Sequence, residues 1–139
     1  MMSPEAIVNQ MLSDDAFSAL LGMHVEQVSP GSAVVSLRIE PSMVNGFQIA
    51  HGAIAYALAD SAMAFASYAF GKKSCSVETC ISHVKKGALA DVLTARCSLL
   101  HAGNKSAIYG VEVKNQREEL IAHFKGTVYV SDEAWELNP

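Results

Sequence analysis

NGFQIAHGAIAYALADSAMAFASYAF, residues 45–70, is a polar loop opening into a long apolar run whose one charged side chain is Asp60. Eight alanines between Ala53 and Ala69, with Leu58, Met63 and Phe65, make the run a strong helix former, apolar on nearly every side. Such a helix has to be wrapped by other elements. Asp60 must then be paired, hydrogen-bonded or titrated, because an unpartnered buried carboxylate is costly. It is read either as a working carboxylate or as a structural one holding a lysine or a loop of backbone amides. The run is also long enough for a membrane span. Alanine inserts weakly, however, and an Asp near the centre adds roughly 2.5–3.5 kcal/mol to insertion. The run is therefore assigned to the centre of a soluble domain, with no membrane contact.

Outward from this helix the patterns change. Residues 3–21 look helical, with Ser3 as cap, Pro4 in the first turn, a second short piece after Ser13, and Gly22 as the stop. Residues 24–28 and 32–40 flank the turn pair Pro30-Gly31, and in the second segment Ala33, Val35, Leu37 and Ile39 alternate with polar residues. That is a hairpin with one buried face. After the helix, Gly71 with Lys72 and Lys73 suits a helix C-terminus. Four extended segments follow at 74–84, 91–101, 106–114 and 120–130, joined by turns at Lys86-Gly87, Gly103-Asn104 and residues 115–118. Short links of this kind join antiparallel neighbours. Residues 132–139 form a short polar tail with Trp135 and no assigned role. The α+β solution is one curled antiparallel sheet of about six strands wrapped around one long helix, a single domain over residues 1–139.

The composition narrows the function. A formal net charge of -4 and the lack of any Lys/Arg run argue against nucleic acid. The start carries no cationic segment followed by an apolar block, so no secretory signal is read and the cytoplasm is the expected compartment. Cys75, Cys80 and Cys97 have no framework spacing and are read as reduced thiols. Cys75, Cys80 and His83 are close in sequence, but on a regular strand Cys75 and Cys80 point to opposite faces, as do Cys80 and His83. No metal is expected.

The first backbone amides of the helix, near Gly52 and Ala53, have no intrahelical partner and sit at the positive end of its dipole. Such amides can hold a carbonyl oxygen that becomes an oxyanion, and Gly52 lets a substrate approach closely. Asp60 is about 12 Å further along the helix at 1.5 Å per residue, so one carbonyl cannot touch both groups in one chain. If the two act together they come from two copies related by a two-fold axis.

Asn45-Gly46, His51-Gly52 opening the helix, Leu58-Ala59-Asp60, and Ala62 and Ala66 beyond it carry a resemblance. The pattern of NG, four residues, HG and then LAD resembles the hot-dog fold acyl-CoA thioesterases, most closely the phenylacetic acid degradation thioesterase family. The motif covers about a fifth of the chain, and the element order is compatible with that fold. The resemblance implies hydrolysis of an acyl-CoA thioester, aryl such as phenylacetyl-CoA or its hydroxylated forms, by a dimer or a tetramer of dimers. It implies no metal or prosthetic group, CoA being part of the substrate. By the family pattern Gly52 polarises the carbonyl, and Asp60 from the facing subunit acts as general base or nucleophile. Asn45 places the water or the thioester, His51 braces the loop, and Ser76 assists the carboxylate. Two departures stand out: Ala53 replaces the family's second glycine, and Lys86-Gly87 replaces a Pro-Gly pair.

Plainer readings accompany these roles. His51 is also an ordinary helix-start residue, and Asn45 suits support of a left-handed turn before Gly46. His24, His83, His101 and His123 read as sheet or loop residues. Lys72, Lys73, Lys85, Lys86 and Lys105 read mostly as solvated charges, with CoA phosphates the expected partner of some, and the sequence does not single out which. The rival functions are a dehydratase on the same fold, which needs a histidine and acid pair the helix lacks, a non-catalytic acyl-CoA-binding module, and a medium-chain thioesterase.

Overall fold

Ser3 opens the first helix by accepting the Ala6 N–H on its Oγ at 3.2 Å, and Asp15 opens the second by accepting that of Ser18 at 2.9 Å. The computed structural model describes residues 2–136. The elements run α1 (Pro4–Asp14), α2 (Ala16–Leu20), β1 (His24–Ser29), β2 (Ser32–Arg38), a single 3-10 turn (Pro41–Met43), α3 (Gly52–Tyr68), β3 (Lys72–His83), β4 (Val92–Ala102), β5 (Ser106–Lys114) and β6 (Leu120–Ala134). The strands form one antiparallel sheet in the order β1-β2-β4-β5-β6-β3.

The sheet packs one face on α3. Val35, Leu37, Leu93, Ala95, Val111, Val113, Ala122 and Phe124 meet Leu58, Ala59, Ala62, Met63, Phe65 and Ala66, all essentially sealed from water. Each of the larger side chains so buried contributes about 1.5–3 kcal/mol. The small alanines let the sheet close tightly on the helix, and Gly126 on β6 provides a notch for Met63. A Cβ at Gly126 would lie 2.3 Å from the Met63 sulfur. The β1–β2 turn is tied to the helix through the Gly31 N–H, which donates to the Ala66 carbonyl at 3.0 Å, and Gly31 takes φ +82° there.

Several expectations need correction. The sheet covers only one side of α3, whereas the apolar run implied a helix wrapped all round. Ala53 is exposed, and Ala57, Asp60, Ser61, Ala64 and Tyr68, at helical spacing from it, are only half-buried. Lys72 and Lys73 belong to β3 rather than to the helix end, which Gly71 closes with φ +83°. β3 and β4 are not neighbours despite their short link: β3 pairs β6 at one edge of the sheet, and β4 pairs β2. The connection between them instead crosses beneath the start of α3, held by the Ala50 N–H to Gly87 carbonyl bond at 2.9 Å. A bulge between Ser76 and Glu78 overturns the alternation argument for the cysteines. Cys75 pairs Tyr129 and Cys80 pairs Lys125, so both face outward on the same side. Five residues of extended chain still separate them, and no cluster able to hold a metal occurs among the described residues.

The supposed tail is structured in part. β6 continues to Ala134, and the Trp135 indole donates to Gln10 Oε1 at 3.1 Å and meets the Tyr68 ring edge-on at 5.2 Å. Residues 137–139 of that stretch lie outside the described residues.

Candidate active site

The start of α3 is built by the loop before it. Asn45 Oδ1 accepts the N–H groups of Phe47 at 2.9 Å and Ile49 at 3.4 Å, folding the loop back on itself. The left-handed residue here is Gln48, φ +61°, rather than a residue beside Gly46. The loop then returns along Met43, whose carbonyl accepts the His51 N–H at 2.8 Å.

His51 caps the helix with its own ring. Its Nδ1 accepts the Ala53 N–H at 3.0 Å, so that nitrogen carries no proton. Its carbonyl accepts the Ile54 N–H at 2.9 Å. With those two amides taken, the Gly52 N–H is left as the helix-start donor without an acceptor among the described residues.

That donor opens on a cavity of about 280 Å³. Asn45, His51, Gly52, His83, Lys85 and Lys86 supply its polar wall, and Ile49, Ala55, Leu93 and Ile121 its apolar one. No carboxylate lines it. Glu119, just outside, is held by Lys85 and by Arg117 Nε at 2.6 Å. A single copy of the chain therefore offers a cavity with hydrogen-bond donors and imidazoles but no carboxylate.

Asp60 stands elsewhere. It is half-buried on the uncovered side of α3, with neither ion pair nor side-chain hydrogen bond among the described residues, and burial pushes its carboxyl above the usual range. Three contacts show that α3 and β3 lie side by side in opposite directions. Gly52 packs on the His83 ring, Tyr56 Oη meets Thr79 Oγ1 at 2.6 Å, and Ser67 Oγ meets Ser74 Oγ at 2.6 Å. Asp60 and Ser76 both fall between the second and third of these. Ser76 is opposite Val128, a buried residue, and so sits on the helix-facing side of β3. Asn45, His51 and Gly52 thus come together at the helix tip, with Asp60 and Ser76 apart from them.

The sequence marks His83 as an ordinary strand or loop residue, yet its ring lies against Gly52 in the cavity. Its facing depends on the bulge in β3, which leaves no periodic trace in the sequence. A larger hollow of about 740 Å³ near the far end of α3 is lined by Pro4, Ile7, Ala69, Phe70 and Trp135, without acid–base groups except Lys72.

Comparison with known proteins agrees with this architecture. The profile of the thioesterase superfamily matches residues 47–122, from the loop before α3 into β6. The chain belongs to the thioesterase superfamily. The hot-dog fold expected from the sequence is thereby established, and the chain is a thioester hydrolase. This thioesterase is 32% identical to the acyl-coenzyme A thioesterase PaaI of Escherichia coli over 84% of its own length and 83% of that protein. The solved structure of E. coli PaaI, from the phenylacetic acid degradation operon, superposes with a TM-score of 0.91 at 28% identity, covering 94% of this thioesterase and 95% of that chain. A point mutant of the phenylacetic acid degradation protein PaaI from Thermus thermophilus gives a TM-score of 0.80 at 32% identity, covering 83% of this thioesterase and 98% of that chain.

Proposed function

We propose that this thioesterase hydrolyses acyl-CoA thioesters with an aryl acyl group, such as phenylacetyl or its hydroxylated forms, releasing the free acid and CoA. The observation that carries the reading is the Gly52 N–H, left without an acceptor at a cavity lined by positive and neutral groups only. A thioester carbonyl oxygen accepting from that amide gains stabilisation as negative charge develops on it. The half-buried Asn45 side chain still has its Nδ2 hydrogens to orient the thioester or the water, because only its Oδ1 is occupied by the loop.

The base comes from a second copy. β3 is an edge strand with mostly exposed side chains, and the uncovered stripe of α3 beside it is mostly small residues, with Asp60 and Tyr68 among them. Two such edges meeting about a two-fold axis extend the sheet and bring the two helices together. In that homodimer Asp60 of the partner subunit reaches the Gly52 cavity, with Ser76 of the same partner strand supporting the carboxylate. Its burial and the lack of an ion pair within its own chain, among the described residues, keep it reactive, as a general base on water or as a nucleophile. Two such dimers associate into a tetramer. The chemistry needs neither metal nor prosthetic group, and the free cysteines suit a reducing compartment such as the cytoplasm.

The test is release of free thiol from phenylacetyl-CoA by the wild type and by Asp60→Asn, with aryl and alkyl thioesters compared by kcat/KM. Thiol release that persists undiminished in the variant removes Asp60 from its role. A protein that binds the ester without releasing thiol is a binding module. A preference for medium-chain esters moves the substrate class.

A further inference from the structure

The cavity at the start of α3 holds two histidines, and only one of them is spent on structure. His51 has its Nδ1 committed to the Ala53 amide. His83, the last residue of β3, has no side-chain hydrogen bond or ion pair to any described residue, and its backbone is fixed by pairing with Ala122 on β6. Its ring lies directly over Gly52: a Cβ there would be 3.2 Å from Cε1 and 3.3 Å from Nε2, but 3.8 Å from Nδ1. The edge of the imidazole that carries Nε2 is therefore turned toward the helix tip.

With a Cα–Cβ bond of about 1.5 Å, Nε2 lies within roughly 5 Å of the Gly52 Cα, and the amide nitrogen is one bond further. An oxygen placed between the two groups can accept from the Gly52 N–H at about 2.9 Å and from that same ring nitrogen. An imidazole with its proton on Nε2 is a donor, and as imidazolium it donates with charge.

We propose that His83 is a second oxyanion donor, which together with the Gly52 amide holds the substrate carbonyl oxygen as it gains charge. The role rests on the thioesterase reading of the cavity above. The contact also gives a reason for glycine at position 52, since any side chain there would press on the ring. His83 forms no bond to carbon and transfers no group. Lys85 and Lys86 share the cavity and add to its positive potential, and Lys85 is partly neutralised by Glu119.

The test compares wild type, His83→Phe and His83→Gln on phenylacetyl-CoA, with circular dichroism and native mass as controls for folding and assembly. Phenylalanine keeps a flat ring on the strand but removes the donor, whereas glutamine keeps a donor without the ring. An interaction made only in the transition state lowers kcat and leaves KM nearly unchanged. The expected result is a roughly 10- to 100-fold fall in kcat for His83→Phe, with KM within about two-fold and substantial recovery in His83→Gln. A phenylacetyl trifluoromethyl ketone analogue of the ester, which binds as a hydrated oxyanion mimic, loses affinity for His83→Phe by a similar factor. A thioether analogue without a carbonyl binds both proteins equally.

A His83→Phe protein as fast as wild type overturns the role, as does one in which KM rises while kcat holds. In either case the thioesterase reading stands, because the wild type is active. A wild type that releases no thiol from any acyl-CoA overturns that reading and this inference with it.

Discussion

Replacing Asp60 by asparagine separates the cost of the carboxylate from its use. Asparagine has nearly the same shape, so the packing of α3 on the sheet is preserved and only the charge is removed. Asp60 is half-buried without an ion pair or side-chain hydrogen bond among the described residues, and burial raises its carboxyl pKa in the folded chain above the unfolded value. The sign follows from linkage. A raised folded pKa favours the protonated form, so its stabilising contribution is complete below the unfolded value of about 3.9 and is lost as pH rises through the folded value. At neutral pH the ionised group is a net cost, and its removal gains about 1 kcal/mol, the low end for a polar group without a partner because solvent still screens a half-exposed charge. With an unfolding entropy of about 2.1 cal/mol/K per residue, a chain of this size gains about 3 °C in Tm. Thermal scans of Asp60→Asn and wild type at about pH 7.5 and pH 4, at matched protein concentration, therefore give a stabilised variant whose advantage shrinks on acidification. Thiol release falls by about 10²- to 10⁴-fold, the range for a lost general base. A variant less stable than wild type near neutral pH, or a gain that does not change with pH, refutes the reasoning by requiring a favourable partner for the carboxylate.

Other perturbations test the frame around the site. His51→Ala removes the ring that caps Ala53 and costs about 1 kcal/mol, read as a Tm lower by about 3 °C, and kcat falls as the Gly52 amide loses its fixed direction. Gly126→Ala fills the notch occupied by Met63 and destabilises by about 1–3 kcal/mol in urea melts, with partial rescue by Met63→Ala. Burial pushes the Cys97 thiol up to about 12, so a thiol reagent at about pH 8 leaves Cys97 unmodified until denaturant is added, as peptide mapping of the labelled protein will read.

Much of the fold was legible because its signals are local. The alanine run, the Pro30-Gly31 turn and the alternation of Ala33, Val35, Leu37 and Ile39 each state an element and a buried face within a short stretch of chain. Strand order was not legible in the same way. The link between β3 and β4, residues 84–91, carries turn residues as a hairpin loop does, and nothing in its composition says that it runs past the start of α3 to a distant part of the sheet. The bulge after Ser76 reverses inside and outside for the rest of β3, so reading by alternation misplaced the cysteines and passed over His83. Asn45, His51 and Gly52 were readable as one group because they share one loop and helix start, and the structure brings them to one cavity. The half-covered state of α3 was hidden, since an apolar pattern records that a face is to be buried and not what buries it.

The indole of Trp135 joins Gln10 of α1 to Tyr68 of α3 just past the end of β6. As the chain has one tryptophan, its near-ultraviolet emission comes from this junction, at the opposite end of the helix from the catalytic cavity. Loosening of α1 from the sheet wets the indole and shifts its emission to the red while the backbone signal of the strands is unchanged. The fluorophore thus reports peeling of the N-terminal helix separately from global unfolding, with no label attached.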